Sequence, residues 1–209
     1  MLRFYTAGES HGQALLAFVS GLPASLPVSV DFINHDLHRR QLGYGRGGRQ
    51  KIEKDRVEFL SGVRHGQTIG APIALRIENR DWANWEKALS VENLPDSESA
   101  QRRLTAPRPG HADLAGAMKF DFHDARYVLE RASARETAAR VAAGSVAKLI
   151  LRQFECEVLS HVVSVGKARL SRAASWSEIQ AVCENLESPL RCVDAETEAR
   201  LYQDYVENV

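Results

Sequence analysis

Apolar residues fall into short blocks over the first 80 positions, then into longer helix-like patterns. Residues 2–6 (LRFYT) predict a strand with aromatic content, and residues 13–23 (QALLAFVSGLP) a second strand ended by Gly21 and Pro23. In residues 29–41, Phe32, Ile33 and Leu37 stand at helical spacing, with Asp31 as the expected cap. Residues 56–79 predict two strands joined by a turn at His65-Gly66. Residues 81–103 are polar and read as a surface excursion, and 105–120 as a loop leading into a helix. Residues 130–154 give the clearest helical pattern. Ser133 followed by Glu136 matches a capping box, and Ala138, Ala142, Ala143, Gly144 and Ala147 supply a face of small side chains that allows close approach to another helix. A strand over 157–170 follows, then an acidic helix from near Ser175 and a helical pattern over 194–209 that reaches the last residue. One domain is expected over 1–209, continuing past Val209.

Length and composition narrow the class without choosing a function. A chain of 209 residues with 44% apolar side chains can bury a core. It has no apolar run of membrane-spanning length and no signal-peptide pattern at its start. Cys156, Cys183 and Cys192 match no zinc or redox spacing, so reduced thiols and a cytoplasmic location are expected. Net charge is zero, which gives no overall basic balance for nucleic acid. Its distribution is uneven: residues 101–150 carry nine Lys/Arg against five Asp/Glu, and residues 151–209 six against ten. A local basic site for an anionic small molecule fits that distribution.

Residues 38–54 (HRRQLGYGRGGRQKIEK) concentrate Arg39, Arg40, Arg46, Arg49 and Lys51. Gly43, Gly45 and Gly48 match a Gly-x-Gly-x-x-Gly pattern. A helix-like stretch precedes them, however, where a dinucleotide fold needs a strand. An RNA-binding Arg/Gly segment is an alternative, although such segments are usually repeated. A solvated basic loop also fits this segment alone, and so does an anion site. Glycine lets backbone amides approach an oxyanion, and arginine offers paired donors to phosphate or carboxylate.

His11 lies in AGESHG (residues 7–12) and His111 in RPGHAD, each beside glycine at the edge of a regular element. Histidine exchanges protons near neutral pH, and loops on rigid scaffolds often carry chemistry. An ordinary turn histidine is the competing interpretation of each. Arg108 places a fixed charge near His111. Ser10 beside His11 does not form the Gly-x-Ser-x-Gly elbow of a serine hydrolase. His35 and His38 fit a helix surface and His65 a hairpin turn, and no metal-ligand spacing occurs. In RASARE (131–136), Arg131 and Arg135 flank Ser133 at a predicted helix start, a position that attracts anions.

Five stretches in order resemble the chorismate synthase family: AGESHG, RRQLGYGRGGRQKIEKD, SGVRHGQTIGAPI, PRPGHADLAGAMKF and ERASARETAARVAAG. They span residues 7–144, and residues 155–209 resemble the family only diffusely. The resemblance implies an α+β fold, a β-α-β sandwich with a helical core between antiparallel sheets, incomplete in this chain. It implies a lyase that converts 5-enolpyruvylshikimate 3-phosphate to chorismate and phosphate by anti-1,4-elimination, in aromatic amino acid biosynthesis. Reduced FMN is the implied cofactor, with NADPH or another reductant to supply it, and a homotetramer the implied assembly. No nucleic acid or membrane partner is implied.

By the same resemblance His11 is the acid near the leaving phosphate, and His111 protonates or holds the reduced flavin. Ser10, Arg40, Arg46, Arg49, Arg108 and Arg135 would bind the anionic substrate, and Arg131, Ala132 and Ser133 would contact FMN. Arg40 and Arg46 are also candidates for NADPH. Ala132 stands where many members have serine. The later Gly-rich and Arg-Asp segments of the family do not occur in these residues, so a catalytically incompetent N-terminal fragment is the alternative to the enzyme.

Overall fold

The computed structural model describes residues 1–45, 52–93, 95 and 102–208; Arg46, Gly48, Arg49 and Lys51 lie outside the described residues. Its largest sheet has strand order β1-β2-β7-β4, with β1 Arg3–Ala7, β2 Ala14–Ser20, β4 Val57–Ser61 and β7 Ile73–Glu78. Every neighbouring pair in it is antiparallel. Side chains alternate across a strand, so Leu15, Ala17 and Val19 of β2 share one face with Ile73, Leu75 and Ile77 of β7. All six are buried.

The element that covers this face is helix α4, Thr137–Arg152. It lays Ala138, Ala139, Ala142, Ala143, Val146 and Leu149 into the core cluster formed with the sheet. The small-residue face, expected to approach another helix, thus packs mainly on strands, and its alanines let the helix lie close. Gly144 and Ala147 are on the other side, beside an open pocket. Helix α1, Val30–Gln41, packs alongside α4 through Ile33 and Leu37. Full burial of each leucine or isoleucine contributes about 1.5–3 kcal/mol. Its cap is Ser29, whose hydroxyl accepts from the Phe32 amide at 3.1 Å, and Asp31 sits inside the first turn instead.

Four strands, not two, occupy residues 57–78. The short strands β5 (Val63–Arg64) and β6 (Gln67–Ile69) leave the large sheet to pair with β3 (Ala24–Pro27). The turn between them holds His65, as expected. A second departure lies at the long helix. Helix α2 is Asp113–Phe120, and α3, Arg126–Ala132, ends just before Ser133, whose φ of −67° and ψ of 146° are extended. A 3-10 turn, Ala134–Glu136, then leads into α4. Ser133 accepts from the Arg135 amide, but Glu136 does not fold back onto it; Thr6 and Arg140 hold that carboxylate. The expected capping box is therefore absent there and present instead at Ser175 and Glu178.

The predicted strand over 157–170 is a two-stranded hairpin, β8 Ser164–Val165 with β9 Ala168–Arg169. With α5 (Trp176–Glu184) and α6 (Ala195–Asn208) it completes the described chain, and Leu170, Cys192 and Leu201 form a small second core. Helices and antiparallel sheets of this kind make an α+β fold. The three cysteines are free thiols. Among the described residues no helix is long and apolar enough to cross a membrane.

Candidate active site

The loop after β1 runs antiparallel to the segment from α3 to the head of α4. Thr6 Oγ1 donates to Glu136 Oε1 at 2.6 Å, Ser10 Oγ to Ser133 Oγ at 2.9 Å, and the His11 amide to Glu130 Oε2 at 2.8 Å. The Ser10 amide reaches the Glu130 carbonyl at 2.9 Å. Arg131 donates to the Gly8 carbonyl and to Thr6 Oγ1, the latter at 3.2 Å. The break at Ser133 makes this possible, because it turns the end of one helix and the start of the next toward the same loop.

Two contacts enclose the His11 ring. Its Nδ1 lies 2.9 Å and 3.0 Å from the two carboxylate oxygens of Glu130. Trp85 covers it with ring centroids 3.9 Å apart and planes tilted by 32°. The Arg102 guanidinium lies 4.0 Å from the Trp85 ring centre and that of Arg126 5.0 Å, while Trp85 Nε1 donates to Asp81 at 2.9 Å. Burial alone would raise the Glu130 pKa, but hydrogen bonds from the His11 ring and amide, aided by Arg126, hold it below the usual value.

Behind the loop stands a second network. Asn79 is almost fully buried and donates to the carbonyls of Glu9 at 3.0 Å and Gly12 at 2.7 Å. Its own oxygen accepts from Arg135 Nε at 2.9 Å. Arg135 is buried too, and its other nitrogens meet Asp55, the Glu78 carbonyl and Glu53. Arg40 shares Asp55 from the other side at 3.2 Å and donates to Thr137 Oγ1 and the Ala134 carbonyl, both at 2.9 Å. Ser10, His11, Arg40, Arg131, Ser133 and Arg135 thus belong to one connected cluster.

His111 and Arg108 form a different arrangement. Arg108 grips Asp113 with two guanidinium contacts, 2.8 Å and 3.0 Å, and its amide meets the same carboxylate at 3.1 Å. Those hydrogen bonds hold the Asp113 pKa down at about 2. His111 is exposed at the mouth of this turn. No hydrogen bond among the described residues joins it to His11. The turn meets the first cluster through α2, which packs on α3.

Asn79, Asp55, Glu130 and Trp85 were not singled out from sequence. Glu130 opens a stretch that reads as a helix start, and Trp85 lies in the polar excursion. Their buried or stacked state becomes visible only in the fold. Ala132 is exposed, as is the Arg131 side chain in part. Ser133 Oγ accepts from Ser10 and from the Arg135 amide, so its own proton has no acceptor among the described residues. Arg131 and Ser133 thus offer donors to an anionic or carbonyl group. Among the described residues no three His, Cys, Asp or Glu side chains are grouped to hold a metal ion.

The family model described as chorismate synthase matches residues 2–209. A chorismate synthase from Acidobacterium capsulatum is 61% identical over 201 residues, covering 96% of this chain and 51% of the relative. One from Symbiobacterium thermophilum is 53% identical, covering 97% of this chain and 53% of the relative. A crystal structure of a chorismate synthase superposes with a TM-score of 0.74 at 40% sequence identity, over 100% of this chain and 53% of that one. The chain spans about half the length of the curated relatives it matches. It belongs to the chorismate synthase family.

Proposed function

We propose that this chain supplies the His11 side of an active site that eliminates phosphate from 5-enolpyruvylshikimate 3-phosphate to give chorismate. The observation that carries the proposal is the hydrogen-bonded pairing of the AGESHG loop with residues 130–136. It gathers a histidine, two serines and three arginines from three distant stretches. Such a cluster suits a substrate with one phosphate and two carboxylates. His11 protonates or hydrogen-bonds the departing phosphate, which lowers the cost of its leaving charge. Arg40 and Arg135, paired with Asp55 and Glu53, hold the frame of the site, and contact with the anion is assigned by family likeness to Arg46 and Arg49, with Arg108 on the α2 side. His111, exposed at the mouth of its turn, holds or passes a proton at the cofactor.

The cofactor of this reading is reduced FMN. The donor set of Arg131 and Ser133, together with the exposed backbone at Ala132, fits a flavin phosphate or ring carbonyl. Bound there, the flavin would supply electron density for departure of the allylic phosphate. NADPH as reductant at Arg40 and Arg46, a tetrameric assembly and a cytoplasmic location belong to the same proposal and rest on family likeness.

The full-length protein with reduced FMN is expected to release phosphate from this substrate. His11→Ala should lower turnover by about 10²- to 10⁴-fold. Unchanged turnover removes His11 from the chemistry. The chain's share of its relatives' length supports a second reading, in which the 209 residues alone form one wall of the site and do not turn over. FMN titration of the chain, followed by flavin fluorescence, separates the two: tight binding counts against the one-wall reading.

A further inference from the structure

We propose that Glu130 is the positioning residue that fixes the tautomer of His11, making Nε2 the atom that exchanges a proton with the bound anion. The inference rests on the reading of His11 as the acid of the reaction. Both Glu130 oxygens lie within 3.0 Å of Nδ1, and the Glu130 side chain is only 2% exposed. A carboxylate can only accept hydrogen bonds, so Nδ1 carries the proton. Glu130 is itself held ionised: besides His11, Arg126 lies 3.5 Å from Oε1. With Nδ1 committed, Nε2 is the remaining exchange position, and no hydrogen bond reaches it among the described residues.

The other contacts serve the same end. The amide of His11 binds Glu130 Oε2, so one carboxylate fixes both the backbone and the ring of this residue. Trp85 fixes the plane of the imidazole. The charged groups around the ring are Glu130 and Arg126 from α3, and Arg102 and Asp81 through Trp85. Of these, Glu130 alone touches an imidazole nitrogen. When Nε2 is protonated, the Glu130 charge is in contact with the imidazolium; once the proton has passed to the phosphate, Nδ1–H remains and the ring keeps its orientation. The arrangement is the one by which a buried carboxylate orients a catalytic histidine in other enzymes.

The chain labelled with ¹⁵N at histidine reports the tautomer directly, in long-range proton–nitrogen spectra recorded where His11 is neutral. Nδ1–H is expected in the parent and Nε2–H as the majority form in Glu130→Ala. A parent in the Nε2–H form overturns the proposal whether or not the variant folds, and so does a folded Glu130→Ala with the tautomer unmoved. In the full-length protein, Glu130→Ala should lower kcat for phosphate release by about 10²-fold or more with KM within about twofold. Glu130→Gln, which keeps one acceptor oxygen, should recover part of that loss. An unchanged kcat in Glu130→Ala overturns the proposal. A parent that releases no phosphate overturns the lyase reading and the use made of Nε2. The spectra still decide whether Glu130 sets the tautomer.

Discussion

The turns that carry His11 and His111 look alike as sequence, each a histidine beside glycine at the edge of a regular element. In the folded chain they differ in what stands behind them. The His11 turn is held by partners 119 to 130 residues away, through Glu130, Ser133 and Glu136. The His111 turn is held by Asp113, five residues from Arg108. The first is built by the fold, whereas the second is largely built by its own sequence. Proximity to glycine therefore says little about a histidine; the residues that its loop reaches say more.

The sharpest probe of that contrast is a methyl group at one glycine of each turn. At Gly8, with φ +90°, it would strike the Ala14 carbonyl oxygen and lie 3.0 Å from Leu15 Cα. Gly8→Ala should lose about 3 kcal/mol or more. At Gly110, with φ +73°, nothing lies within 4 Å of the added atom. Gly110→Ala should lose only the strain of that conformation, about 1 kcal/mol. Urea unfolding of the two variants measures the difference, and equal losses would break the comparison.

Next in size is Asn79→Ala, which strips two carbonyls of the His11 turn and Arg135 Nε of a buried partner. A loss of about 2–3 kcal/mol is expected, with faster amide hydrogen exchange at residues 8–12. Unchanged exchange there would mean that Glu130 holds the turn without Asn79. The smallest effect concerns the His111 turn. Asp113 has a folded pKa of about 2 against an ordinary 3.8. A depressed carboxylate pKa stabilises the fold above the ordinary value, and that contribution is lost as pH falls from 3.8 toward 2. Asp113→Asn should flatten the dependence of stability on pH in that window, measured by urea unfolding. A variant with the parent's slope would show that the pair contributes nothing to the turn.

Local pattern carried much of this architecture. The apolar stretch over 13–23 is strand β2, and the periodicity of 29–41 is helix α1, since both bury a side that their own spacing defines. The family motifs contain Ser10, His11, Arg40, Arg131, Ser133 and Arg135, which the fold brings together. What sequence did not reveal depends on distant partners. Ser133-x-x-Glu136 satisfies the spacing of a capping box, yet Thr6 and Arg140 capture Glu136, and the helix breaks at Ser133. Glu130 is one acidic residue among many until the AGESHG loop lies against it. Trp85 sits in a polar stretch, and its three-residue spacing from Trp82 suits a helical turn without showing that it stacks on His11. The division of 57–78 into four strands rather than the expected two was hidden for the same reason, since β6 is defined by its pairing with β3.

The antiparallel pairing of residues 6–11 with 130–136 also fixes when the site comes into existence. Its bonds join residues 119 to 130 positions apart, so they form only after a loop of that length has closed. None of these bonds can form within one short stretch of chain. The linkage runs in reverse as well. An anion that bridges the two sides would add its binding free energy to the stability of the sheet and helix together, and melting temperature would follow ligand concentration.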